Sequence, residues 1–219
     1  MIQADLTLEE EKLASGIGAV VGMDEVGRGA IAGPVVVGAC ALKKPLVAVP
    51  LGLTDSKLLS VLKRTRYEAV VKSWVNAWAL GWASAQEVDQ LGIMGALNIA
   101  GLRALTRLNE DIGQIDAVLL DGNVDWLHRE SDLFYSGDHP TLGDGVSVQT
   151  IVKGDQKCAS IAAASILAKV ARDAYMGELG EQDPRYDWAS NKGYGSKKHR
   201  DAIVQFGLSE YHRRSWKII

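Results

Sequence analysis

Residues Gly22 to Pro34 read GMDEVGRGAIAGP, placing two adjacent carboxylates, Asp24 and Glu25, at the end of an apolar stretch with a glycine-rich turn directly behind them. On either side, Ala19 to Met23 and Pro34 to Ala41 are rich in Val and other apolar residues, which predicts two strands joined by that turn. The second is almost continuously apolar and is expected to be central in a sheet. Neighbouring carboxylates repel each other and resist burial unless a cation compensates. A bound metal resolves the conflict; a strand end open to water is the plainer reading of the Asp-Glu pair alone. Gly27, Arg28 and Gly29 allow close backbone approach and exposed peptide N–H groups. The next glycine, Gly33, comes one position too late for G-x-G-x-x-G, and no G-K-[ST] occurs, so neither nucleotide fingerprint is present.

Working outward, a polar helix is predicted to begin after Thr54-Asp55-Ser56, with Ser or Asp as its N-cap, and to run to about Lys72. Ala77 to Ala83 alternates Trp78, Leu80 and Trp82 with smaller residues and reads as a strand. Gly92 to Leu108, with Ile93, Leu97, Ala100 and Ala104 on one face, reads as a helix. DAVLL, Asp116 to Leu120, predicts a short buried strand ending at Asp121 and Gly122, and VSVQTIV, Val146 to Val152, predicts another. A long Ala-rich helix follows from Ala159 to Leu179. This order describes an α/β domain with a mixed sheet. The stretch of about 124–145 holds Asp125, Glu130, Asp132, Asp138 and Asp144 with Arg129 as its only Lys or Arg, and is expected to be a surface insertion remote from phosphate.

The 219 residues, 47% hydrophobic and 23% charged, suffice for one substantial core, so a single domain over 1–219 is expected. Met1 to Leu13 carries Asp5, Glu9, Glu10 and Glu11 instead of a basic and then apolar leader, and the apolar run Ile31 to Leu42 is interrupted by Gly33, Pro34 and Gly38. A soluble cytoplasmic protein is expected. Cys40 and Cys158 form no C-x-x-C pair and suggest neither zinc nor a disulfide framework. A formal net charge of −3 argues weakly against a nucleic-acid partner. Its distribution argues the other way, because the C-terminal segment at about 184–219 carries Lys192, Lys197, Lys198, Arg200, Arg213, Arg214 and Lys217 late in the chain. Such a cluster is more often a solvated helical tail than a phosphate-binding face.

DEVGRG followed by AGPVVVGA resembles the opening motif of the ribonuclease HII family. Further motifs follow in that family's order: TDSK (Thr54 to Lys57), LLDG (Leu119 to Gly122), VKGDQKCASIAAASILAKVARD (Val152 to Asp173) and GYGSKKH (Gly193 to His199). The resemblance implies a ribonuclease H-like mixed β-sheet flanked by helices, with a helical C-terminal segment. It also implies a monomeric metal-dependent endonuclease that hydrolyses the phosphodiester 5′ to ribonucleotides in RNA/DNA hybrids and in DNA duplexes containing embedded ribonucleotides. The catalytic and metal-binding residues it implies are Asp24, Glu25, Asp121 and Asp155, holding Mg2+ or Mn2+ in a two-metal site; all-oxygen ligands suit these ions.

For the substrate, the resemblance implies that Gly27, Arg28, Gly29 and Tyr194 meet the ribose, whose 2′-hydroxyl distinguishes it from deoxyribose. Lys57, Lys157, Ser160 and Ser165 become phosphate or helix-terminal contacts, since a helix N-terminus favours anions. Ser165 reads equally well as a small residue that permits close helix packing, and Tyr194 without the resemblance would be ordinary surface. Asp173 is expected outside the site, paired with Arg172 or Lys169 or capping a neighbour. Two features depart from the family pattern: Leu58 replaces a second lysine after DSK, and the acidic insertion lengthens the stretch between Asp121 and Asp155. A catalytically silent nucleic-acid-binding module would not need all four carboxylates. A phosphatase for small substrates would leave the basic C-terminal segment unexplained.

Overall fold

Period-two alternation along the strand Val20–Val26 (β1) divides its side chains between the two faces of a sheet. A computed structural model describes residues 3–128 and 140–218. In it β1 pairs antiparallel with Val35–Leu42 (β2), which pairs antiparallel with Ala77–Ala83 (β3). On its other edge β1 pairs parallel with Ala117–Asp121 (β4), and β4 pairs parallel with Ser147–Ile151 (β5), giving the order β3-β2-β1-β4-β5. Parallel neighbours need a crossover. The helix Ala85–Ile112 (α3) lies between β3 and β4 in the chain and covers one face, where Leu97, Ala100 and Ala104 meet Val21, Met23 and Val118.

The helix Ala159–Gln182 (α4) covers the opposite face, with Ile161 and Ala162 against Val20 and Leu119. Thr7–Ala14 (α1) and Val61–Trp74 (α2) add Leu13 and Val71 to the same layer. Glycines allow α4 to lie directly on the strands. A Cβ at Gly22 would overlap the backbone of Ser160 and Ile161, and one at Gly38 would overlap the carbonyl of Ala164. Gly38 is the cross-strand partner of Asp24, so this approach brings α4 down beside that carboxylate.

Several sequence expectations are corrected here. β1 runs on to Val26, so Asp24 and Glu25 lie within the strand. The helix expected from Gly92 starts at Ala85 under a capping box made by Ser84 and Glu87; Gly92, at φ 66°, is a kink that hides the first turns from a periodicity reading. α1, polar along most of its length, was not expected. α2 begins later than expected because Asp55 caps a separate 3₁₀ turn, Ser56–Leu58, and Ser60 caps the helix. Within the supposed surface insertion, Trp126 and Leu127 are core residues that pack on the bare Gly101 of α3. Arg129, Glu130, Asp132 and Asp138 lie outside the described residues.

The C-terminal segment is packed instead of forming a solvated tail. The helices Trp188–Asn191 (α5) and Lys197–Phe206 (α6) enclose a cluster in which Tyr186, Trp188 and Ile203 meet Ile31, Ala32 and Met176. Much of its positive charge is matched internally, as in Lys197–Asp201 at 2.7 Å and Lys198–Asp187 at 2.9 Å. Among the described residues no helix is long and apolar enough to cross a membrane.

The glycine contact yields a direct test. Gly38→Ala should lower stability by about 1–3 kcal/mol through overpacking against α4, read as a lower midpoint in denaturant unfolding. An unchanged midpoint would show that the helix gives way freely.

Candidate metal centre and active site

Parallel pairing sets Met23 opposite Leu120, so the next residues on each strand, Asp24 and Asp121, stand side by side at the C-terminal ends of β1 and β4. Asp155 arrives from a turn beyond its strand. β5 ends at Ile151, Lys153 takes a left-handed conformation at φ 56°, and Asp155 sits in the 3₁₀ turn Gly154–Gln156. The N–H of Gly154 donates to Asp121 Oδ1 at 2.7 Å and ties that turn to β4. One carboxylate oxygen from each of Asp24, Asp121 and Asp155 lies within 4.8 Å of the others.

This clustering shifts the titration of Asp24 and Asp155. Burial first, and then the charges of Glu25 and Asp121, hold Asp24 well above the usual carboxylate range, opposed by a hydrogen bond from Ser165 and by Lys57. Burial, followed by the charges of Asp121 and Asp55, raises Asp155 to about 6. Lys57 Nζ, 3.8 Å from Asp155 Oδ2, is the nearby cation. Partial burial works against its charge, yet Asp24, Asp55 and Asp155 raise its pKa above the ordinary lysine value. One ammonium does not balance this set. An all-oxygen donor set with surplus negative charge fits a hard divalent cation.

Glu25 follows Asp24 along a strand and therefore points to the other face. It lies outside that group of oxygens, with Oε1 3.3 Å from Nη1 of Arg28. Burial raises its pKa, Arg28 opposes the shift and the charge of Asp121 adds to it, so Glu25 still feels the centre.

Beneath the carboxylates, Ser165 is buried, lowers the pKa of Asp24, and has its Oγ 2.9 Å from Ser56 Oγ. The turn carrying Ser56 and Lys57 is fixed in turn by Arg64, whose Nε donates to Ser56 O at 2.9 Å and whose Nη1 reaches Asp173 Oδ2 at 3.3 Å. Asp173 also pairs with Lys169 at 2.7 Å and stays outside the carboxylate group, as expected. Asp55 was missed. It accepts from Lys57 N at 2.8 Å and helps to raise the pKa of Asp155, but in sequence an Asp ahead of a helix reads only as a cap.

Ser160 is not open to a phosphate. Its N–H and hydroxyl both donate to Glu9 Oε1, at 2.8 and 2.6 Å, and it is fully buried. The anion that the N-terminus of α4 favours is supplied by α1 of the same chain. Lys157 is exposed.

Across the site, Arg28 and Gly29 are exposed while Gly27, at φ 88°, is buried over Arg172. The turn bearing Tyr194 docks on the same loop, because the carbonyl of Gly193 accepts from Ile31 N and Ala32 N at 2.9 and 3.1 Å. The Tyr194 ring, 38% exposed, lies 5.5 Å from the guanidinium carbon of Arg172. Behind it, His199 Nδ1 lies 2.9 Å from Tyr194 O. Outside its place in the GYGSKKH motif, this histidine carries no separate signal in the sequence.

The family model described as ribonuclease HII matches residues 21–219. A ribonuclease HII of Streptomyces griseus is 45% identical over 208 residues, covering 94% of this chain and 80% of its own. One from Paracoccus denitrificans is 42% identical over 212 residues, covering 97% and 91%. In fold, the chain is similar to the ribonuclease H2 of Pyrococcus horikoshii, with TM-score 0.65 at 22% identity over 91% of this chain and 94% of that one. It is also similar to Bst-RNase HIII, solved in complex with Mn2+, with TM-score 0.70 at 20% identity over 92% and 68%.

The shifted carboxylates make a measurable prediction. In metal-free protein the Asp155 side chain should titrate near pH 6, followed by carboxyl-carbon NMR. A cation requires the ionised form, so apparent Mg2+ affinity should weaken as pH falls below that value, the loss from this one proton approaching about tenfold per pH unit. A flat affinity from pH 7 to 5 would contradict the assignment.

Proposed function

The chain belongs to the ribonuclease HII family, and from that premise we propose that it hydrolyses the phosphodiester 5′ to ribonucleotides in RNA/DNA hybrids and in DNA duplexes containing embedded ribonucleotides. The observation that carries this reading is the convergence of Asp24 and Asp121, from adjacent parallel strands, with Asp155 from the turn after β5, the carboxyl pKa values of Asp24 and Asp155 being raised. Asp24, Asp121 and Asp155 would hold Mg2+ or Mn2+, and a pair of such ions would supply activation of the attacking water and stabilisation of the leaving 3′-oxygen.

The chain's own residues divide the remaining tasks. Asp24, Asp121 and Asp155 would hold the cation, and Glu25, on the other face of β1 and outside that group, would add its negative charge to the centre. Lys57 draws a phosphate toward the carboxylates, with Lys157 as a second exposed cation on the turn that carries Asp155. Ser165 steadies Asp24 from below. The N–H groups of the Gly27-Arg28-Gly29 loop meet the 2′-hydroxyl, and Tyr194 stacks on the same sugar. Ser160 belongs to the α1–α4 contact instead. The protein works as a single catalytic domain and a monomer, in a reducing cytoplasm that keeps Cys40 and Cys158 as thiols.

Cleavage of a DNA duplex bearing one ribonucleotide tests this reading. Products should carry a 3′-hydroxyl and a 5′-phosphate; a 2′,3′-cyclic phosphate would mean that the 2′-hydroxyl attacks, and would overturn it. Asp121→Asn and Asp155→Asn should each lose more than about 100-fold in single-turnover rate, beyond the loss typical of groups that only support a metal ligand. Asp173→Asn should lose far less, since it acts through Arg64.

A separate prediction concerns Tyr194. Tyr194→Phe removes one neutral hydrogen bond, worth about 0.5–1.5 kcal/mol. Tyr194→Ala should lose a further ~1–3 kcal/mol of stacking. Equal wild-type rates for both variants would remove this residue from the site.

A further inference from the structure

We infer that Arg213 is a positioning residue for ribose recognition: its buried guanidinium holds the carbonyls of the Gly27–Gly33 loop inward and thereby turns the Arg28 and Gly29 peptide N–H groups outward to the sugar. This rests on the reading above that the loop meets the ribose.

Arg213 is fully buried, and among the described residues it forms no ion pair with a carboxylate. A buried charge without a counterion is tolerated only where its donors are satisfied. Here backbone carbonyls satisfy them. Nη2 donates to Gly27 O at 2.7 Å and Gly33 O at 3.0 Å, Nε donates to Gly33 O at 3.1 Å, and Nη1 donates to Arg28 O at 3.0 Å. One rigid planar fork thus joins both ends of the loop, a geometry that a lysine ammonium does not reproduce. The Arg213 N–H adds a bond to Ile31 O at 2.9 Å. From the other side Arg172 donates to Pro34 O at 2.8 Å and Ala32 O at 3.3 Å.

Peptide geometry carries the consequence. The C=O of Gly27 and the N–H of Arg28 belong to one trans peptide unit and point in opposite directions, as do the C=O of Arg28 and the N–H of Gly29. Drawing both carbonyls onto Arg213 therefore faces both N–H groups away from the core. Neither has an acceptor among the described residues, and both residues are exposed. Successive outward N–H groups form a concave donor pair suited to an oxygen acceptor. Burial and the charge of Arg172 push Arg213 down to about 9. This accounts for a C-terminal arginine that in sequence looks like part of a solvated basic tail.

The test compares wild type with Arg213→Gln and Arg213→Lys. Three readings are taken: KM for a single-ribonucleotide duplex, Ki for an all-DNA duplex of the same sequence as competitor, and hydrogen exchange at Ile31, Ala32 and Gly33. Both variants should raise KM at least tenfold with Ki within threefold of wild type, and should speed exchange at these amides while core strands stay protected. Failure of lysine to rescue identifies the fork, not the charge. Unchanged exchange would overturn the inference and leave the loop's role standing. Faster exchange with unchanged KM would overturn the ribose reading of the loop, and the inference with it. Should Arg213→Gln not fold, Arg213→Lys alone decides by the same readings.

Discussion

Repulsion between carboxylates forced into one place governs how this molecule is built. Asp24 and Asp121 are neighbours because β1 and β4 run parallel with Met23 opposite Leu120, and no side-chain adjustment separates them without undoing that pairing. The surrounding structure offsets the strain piece by piece. A serine pair lies under Asp24, the Gly154 N–H faces Asp121, and Lys57 reaches toward Asp155. These partners arrive on three separate elements, α4 and the two 3₁₀ turns, and the bare Gly22 and Gly38 let α4 come close enough to bring one of them. The folded core tolerates the residual repulsion, and a divalent cation would remove it.

A second layer of support depends on residues that never touch the carboxylates. Asp173 holds Arg64, Arg64 holds the backbone of Ser56 and Leu59, and that turn presents Lys57. Glu9 caps α4, the helix that carries Ser165, through Ser160. Acidic residues therefore serve two separate ends. Some gather at the centre, while Asp173 and Glu9 satisfy donors that keep the framework still.

Much of this was legible in the sequence where the signal is local. Alternation and apolar runs located the five strands, and the order of motifs located Asp24, Asp121 and Asp155. Alternation also contained the separation of Asp24 from Glu25 across the sheet, although adjacency in sequence suggested a shared ligand position. Contacts between distant segments were hidden. Nothing near Ser160 reveals that Glu9, far earlier in the chain, meets it. Nothing near Trp126 shows that α3 leaves a glycine-sized gap for its ring. Positive residues late in the chain looked alike, yet Lys197 pairs at the surface while Arg213 lies in the core, because burial is decided by the surface that the loop after β1 presents to them.

The C-terminal segment shows how one end of the chain gives shape to the other. Trp188 Nε1–H donates to His199 Nε2 at 3.0 Å, so the ring proton of neutral His199 resides on Nδ1 and is donated to Tyr194 O at 2.9 Å. His212 accepts at Nδ1 from Ser209 N at 2.9 Å, which leaves its own proton on Nε2, 3.1 Å from His199 Nε2. This pattern is satisfied when both rings are neutral. Burial, which lowers the pKa of His199 and brings that of His212 to about 4, favours that state. Protonating either ring would set donor against donor beneath the Tyr194 turn. That turn holds Ile31 and Ala32 through the carbonyl of Gly193, while Arg213 holds Gly27 and Gly33. The glycine-rich loop has one turn bond of its own, Ala30 N to Gly27 O at 3.2 Å, and is otherwise held by tertiary partners on two separate stretches, its composition supplying the freedom to adopt that shape.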